Sequence, residues 1–186
     1  MRKWLIAILL ACLPATNAAA ADALGLYFSD TVFTLDTAAA TVTPGFLTAA
    51  YLVLTGPTGA VVSGYEVAIT CTAPDFAIPL TSLFLDTNAG TNVNQIVTFA
   101  VPKPALPGGT VLAAVFLQTA SEVPETISFG PSTPSSLRCG CPVVDYGAEG
   151  LVACDWPFGT PAVAWLGGAP IADEPAAWGA VKALYR

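Results

Sequence analysis

The chain has 186 residues, of which 54% are apolar, 10% are charged and none is histidine, whereas a typical soluble domain is about 25% charged. A helical membrane protein is excluded, because a span needs about 18 consecutive apolar residues and the longest apolar run, near the N-terminus, is shorter. Disorder goes with low hydrophobicity and high net charge, the reverse of this composition, which leaves a folded, exported β domain.

The chain opens with Arg2 and Lys3, an apolar run over residues 4–13, Pro14, and small residues through Ala21. A positive start, a short apolar stretch and an Ala-x-Ala site are the order of a secretory signal peptide, with cleavage expected near Ala20 or Ala21. Leu9-Leu10-Ala11-Cys12 also has the form of a bacterial lipobox, which would make Cys12 the lipidated first residue. The organisation expected is a signal peptide over 1–21, a β-sandwich over 22–172 and a helical tail over 173–186. Without the signal, the bases are Lys103, Arg138, Lys182 and Arg186 against thirteen acids, a net charge of −9. Nucleic acid, which is bound mainly by Lys and Arg on phosphates, is excluded as a partner, and anionic membrane surfaces are disfavoured.

In the body the apolar period is two. Strands are predicted at 24–28, 31–36, 46–54, 64–70, 78–85, 93–101, 111–117, 126–129, 150–155 and 163–166, about ten in all. Within 64–70, Tyr65, Val67 and Ile69 share one face and Glu66, Ala68 and Thr70 the other. The 111–117 run is apolar on both faces, as in a central strand covered on both sides. Turn signals such as Thr43-Pro44-Gly45, Gly56-Pro57-Thr58-Gly59 and Pro107-Gly108-Gly109 separate the strands. Many short strands at this spacing predict an all-β fold, a single Ig-like sandwich of about 8–10 strands with a short C-terminal helix. Nineteen of the twenty threonines fall after residue 21 and supply polar outward faces without charge.

Four cysteines remain after the signal: Cys71, Cys139, Cys141 and Cys154. An even count in an exported chain predicts two disulfides. The Cys139-Gly140-Cys141 spacing is expected to be too tight to bridge to itself. Two pairings follow: Cys71–Cys139 with Cys141–Cys154, or Cys71–Cys141 with Cys139–Cys154. Zinc spacing is absent, so no metal is expected; without Cys-x-x-Cys no redox dithiol is expected either, and no cofactor.

The last segment departs from the β pattern. From Asp173 to Arg186, acids and Pro175 come first and bases last, matching the helix macrodipole. Trp178, Val181, Leu184 and Tyr185 form an apolar stripe at helical spacing. The closing Trp178-Gly179-Ala180-Val181-Lys182-Ala183-Leu184-Tyr185-Arg186 resembles the WGxIKxLYR terminus of a group of secreted, uncharacterised bacterial β-sandwich proteins, with Val181 where Ile is more usual. Gly25-Leu26-Tyr27-Phe28, Gly64-Tyr65-Glu66-Val67 and the segment 90–97 are similar to theirs. The resemblance implies export and a surface or envelope role, and no chemistry. The sandwich core also broadly resembles a cohesin or carbohydrate-module core, an analogy of fold that does not transfer function.

Four candidate sites are weighed. Without histidine no Ser-His-Asp arrangement exists; Glu66, Asp75, Glu122, Glu125, Asp145, Glu149 and Asp155 could serve a glycosidase only if two of them faced each other. The oxygen-rich stretch 86–94 faintly resembles the start of a calcium loop but lacks its acids and terminal Glu. Tyr146, Trp156, Phe158 and Trp165 would suit sugar stacking if exposed and coplanar; in a sandwich such residues more often fill the core or cover the disulfides. The tail residues Trp178, Val181, Lys182, Leu184, Tyr185 and Arg186 either cover a sheet edge or form a docking signal read in a groove. The function expected is therefore a non-catalytic envelope or extracellular interaction protein, located in the periplasm, at the cell surface or outside the cell. Its partner would be another protein or a second copy. The alternative is a carbohydrate-binding module using Trp156 and Trp165.

Overall fold

The computed structural model describes residues 22–82, 86–120 and 124–167. Both the signal segment 1–21 and the helix expected over 173–186, with its residues Trp178, Val181, Lys182, Leu184, Tyr185 and Arg186, lie outside the described residues. The structure is an all-β sandwich. No α-helix occurs among the described residues, and none there is long and apolar enough to cross a membrane.

One sheet has four strands in the order β1 (Ala23–Tyr27), β3 (Thr48–Thr55), β8 (Thr110–Gln118) and β5 (Ala77–Ser82). All its neighbours are antiparallel. The 111–117 run, apolar on both faces, does take a central place, between β3 and β5.

The larger sheet is built on the eleven-residue β4 (Val61–Cys71). One edge of β4 pairs with β7 (Asn94–Pro104), which carries the short β6 (Thr87–Asn88). The opposite edge is shared by two strands in series. β9 (Glu125–Gly130) takes Ala68 to Cys71, and β10 (Val143–Asp145) takes Gly64 to Glu66. Beyond β10 lies β11 (Leu151–Ala153); beyond β9 lie β12 (Ala162–Leu166) and the two-residue β2 (Ala39–Ala40).

Tyr65, Val67, Ile69, Val97, Phe99, Ile127, Val144 and Leu166 pack against Leu24, Leu26, Leu52, Leu54, Leu112, Val115 and Leu117 of the facing sheet, all buried. This is the face that the period of two assigns inward. Gln95 is fully buried at the same level. Its Oε1 accepts from Tyr65 Oη at 2.7 Å, and its Nε2 donates to Asn92 O at 2.7 Å and Thr81 Oγ1 at 3.2 Å. Burial pushes the Tyr65 phenol up, with Asp86 adding to the effect, so it stays protonated and donates.

Two features depart from the predicted strands. The 31–36 segment is a capped turn. Ser29 Oγ accepts from Thr31 N and Val32 N, Thr37 Oγ1 accepts from Thr34 N at 2.9 Å, and a single 3-10 turn follows at Asp36–Ala38. Hydroxyl side chains offer the backbone local partners that compete with a ladder. The short strands β2, β6 and β10 have no predicted counterpart, because two or three residues are too few to display a period.

Tyr65→Phe leaves the Gln95 carbonyl buried without its donor. The expected cost is about 1–3 kcal/mol, read as a lower urea midpoint at unchanged m-value; a shift under about 0.3 kcal/mol would show that the bond contributes nothing.

Candidate interaction surface

The outward face of the four-stranded sheet is covered rather than bare. Tyr27, Val53 and the half-buried Tyr51 and Val111 form a second apolar cluster, onto which Phe33, Phe158 and Trp165 fold. The aromatic rings run in a chain: Phe33 to Tyr27 at 5.4 Å, Tyr27 to Phe158 at 6.3 Å, and Phe158 to Trp165 at 5.5 Å between centroids. Burial raises the Tyr27 phenol to about 12. Phe33 sits here because the capped turn carries it over Gly109, whose φ of +116° no side chain tolerates well and whose missing Cβ leaves room for the ring.

Either side of this cover the surface is hollow. A groove of about 670 Å³ runs between the capped turn and the β7–β8 turn, with Phe33, Pro104, Leu106 and Val111 as apolar walls and Asp30 and Lys103 as its charged residues. Its far wall is braced by Leu106 N donating to Thr110 Oγ1 at 2.8 Å, Gly109 N to Leu106 O, and Ala105 N to Ala60 O. Leu106 is 51% exposed and Val101, on β7, is 75% exposed. Phe33 also lines a second hollow of about 300 Å³, shared with Tyr27, Trp156, Phe158, Thr55 and Asp155.

The four aromatics named from sequence divide between two settings. Tyr146 is buried and donates its hydroxyl to the buried Asp22 carboxylate, which also accepts from Thr58 N and Oγ1. Trp156 is half-buried against the main core, its Nε1 donating to Phe129 O at 3.3 Å. Phe158 and Trp165 belong to the outer cluster, their planes inclined at 44°. The structure thus brings Trp156 and Phe158 to one hollow but builds no coplanar four-ring platform.

The cysteine pairing differs from both expected schemes. Cys139 is joined to Cys141, while Cys71 and Cys154 are free. Gly140, at φ +69°, turns the chain so that the two Cα atoms are 5.2 Å apart, inside the usual range for a disulfide. Cys71 stands opposite Ile127 in the ladder, and Cys154 N is bound to Pro142 O, beside Cys141, whose sulfur is already taken by Cys139. Burial raises both free thiols. Glu125 adds to the effect at Cys71, and Asp22 and Asp155 add to it at Cys154.

Of the carboxylates weighed for hydrolysis, Glu66, Asp75, Glu125 and Asp145 accept from backbone, hydroxyl or thiol donors, and Glu122 lies outside the described residues. Asp75 accepts from Ala120 N, Asp145 from Gly147 N, and buried Glu125 from Thr119 Oγ1 and the Cys71 thiol. Glu66 accepts from Ser132 Oγ at 3.2 Å and from Ser136 N at 2.8 Å and Ser136 Oγ. It thereby anchors residues 131–142, the excursion between β9 and β10, with Asn94 bound to Thr133 N and O beside it. In the 86–94 stretch the side-chain oxygens are likewise engaged: Asn88 Oδ1 accepts from Gly90 N and Ile96 N, and Asp86 Oδ1 from Ala100 N. The strand expected over 31–36 hides the groove, because it would place Phe33 in a ladder instead of over Gly109.

No protein-family model matches the sequence, and no curated protein matches it. Among solved structures, the chain is similar to the sixth cohesin from scaffoldin B of Acetivibrio cellulolyticus, solved in complex with a Cel5 dockerin. Identity is 12%, the match covers 78% of this chain and 94% of the cohesin, and the TM-score is 0.39. Function is therefore argued from this chain's own surface.

Glu66→Ala removes three acceptor bonds from the excursion. Amide exchange across 131–142 should quicken about tenfold while the global unfolding midpoint moves little; unchanged exchange there would show that Glu66 is not the anchor.

Proposed function

We propose that this protein is a non-catalytic interaction module of the envelope or extracellular space that receives an apolar polypeptide segment in the groove between Phe33 and Leu106. One observation carries the reading: a 670 Å³ apolar hollow with a braced wall and two opposite charges, Asp30 and Lys103, to orient what enters. Interfaces draw their affinity from such buried apolar anchors, with rim charges setting register and encounter rate. Export is supported by the order of charge, apolar run and small residues over 1–21. The tail stripe Trp178, Val181, Leu184 and Tyr185, with Lys182 and Arg186, is of the kind an assembly or sorting partner reads as an amphipathic helix.

A second reading, glycan binding, is favoured by the smaller hollow, where Tyr27, Trp156 and Phe158 meet Asp155 and Thr55. Aromatic faces beside a carboxylate are what a pyranose ring contacts.

A photo-crosslinker placed at Leu106 should trap a discrete envelope polypeptide in the producing cell, and one placed at exposed Thr70, on the other sheet, should not. Phe33→Asp should abolish the adduct. Equal capture from both positions overturns the protein reading, and retardation in a polysaccharide gel that Trp156→Ala abolishes establishes the glycan one. Deleting residues 178–186 should redistribute the protein between cell fractions while changing its melting temperature by less than about 2 °C; the reverse result defeats the sorting role.

A further inference from the structure

We propose that Cys139–Cys141 is a thiol–disulfide exchange site that accepts two electrons from an external dithiol through Cys139. Three observations converge on it. Cys139 is exposed whereas Cys141 is only 8% exposed, so the pair presents one sulfur to an incoming nucleophile and withholds the other. Arg138, exposed beside it, is one of two basic side chains among the described residues, the other being Lys103. An attacking thiolate is an anion, and over an acidic surface Arg138 is where it is least repelled. The bond also closes a loop of only three residues, which constrains the unfolded chain far less than a long-range disulfide does. The excursion that carries it is already held by Glu66 and Asn94.

The remaining cysteines do not compete. Cys154 is buried in the core, and Cys71 lies at the far end of β4 opposite β9. Burial holds both as thiols at neutral pH, and a thiol is a poor nucleophile.

The step balances as follows. A thiolate of the external dithiol attacks Cys139 Sγ, forming a mixed disulfide and releasing the Cys141 thiolate, which takes a proton from water. The second thiolate of the donor attacks the donor's own sulfur in that bond, releasing the Cys139 thiolate, which is protonated in turn. The donor ends as a disulfide, and Cys139 and Cys141 end as thiols.

The test uses the purified full chain in glutathione buffers, quenched with acid and mass-tagged with a maleimide. At millimolar reduced glutathione and without denaturant, Cys139 and Cys141 should each gain a tag while the thermal transition stays cooperative. Cys141→Ser challenged with oxidised glutathione should form the Cys139 adduct at least tenfold faster than Cys139→Ser forms one at Cys141. Arg138→Glu should slow wild-type reduction severalfold. The proposal is overturned if the two variants react at similar rates, if the bond opens only under unfolding conditions, or if air-oxidised protein carries both cysteines as free thiols.

Discussion

The shared edge of β4 is the constraint on which the rest of the molecule depends. A strand of eleven residues offers more ladder positions than either β9 or β10 can fill, and an unpaired backbone donor or acceptor inside a sheet is costly. The chain satisfies the edge in two instalments, pairing Gly130 with Ala68 and then Val143 with Glu66. Between them it must leave the sheet and come back. Residues 131–142 are that detour, and the Cys139–Cys141 pair and the bonds to Glu66 exist because it has to be folded down somewhere.

The same economy of partners explains how so few bases can accompany so many acids. Asp22, Glu66, Asp75, Asp86, Glu125 and Asp145 each accept from a backbone N–H or a hydroxyl. A carboxylate bound in this way needs no cation, since charge-assisted hydrogen bonds replace its lost hydration. Low charge content is thus compatible with a folded acidic domain. Among the described residues it leaves the two basic groups, Lys103 at the groove and Arg138 beside the disulfide, as local landmarks among the acids.

Much of the sandwich was legible in advance. β1, β3, β4, β5, β7, β8, β9, β11 and β12 overlap the predicted strands, most of them long enough, or alternating cleanly enough, to show which face is wet. The failures have one cause. Residues 31–36 alternate like a strand, yet Ser29 and Thr37 bind the backbone locally. Phe33 was therefore assigned to a ladder instead of a cover. The cysteine pairing failed for a related reason, since it was judged from spacing alone while the turn at Gly140 decided the distance. The aromatic residues pack, as residues of a sandwich usually do, but with partners that spacing does not show: Tyr146 turns inward to Asp22, while Tyr27 and Phe33, far away in sequence, join Phe158 and Trp165.

By itself, the sequence determined the class of fold, the faces of the long strands, and an acidic, cation-poor surface, because these follow from period, turn residues and composition, which are local properties. Only the tertiary structure decided which aromatic rings share a hollow and where an apolar groove opens between two turns some seventy residues apart. Those outcomes depend on how distant segments are brought together across the sheets, and residue order along one strand carries no record of what packs on its other side.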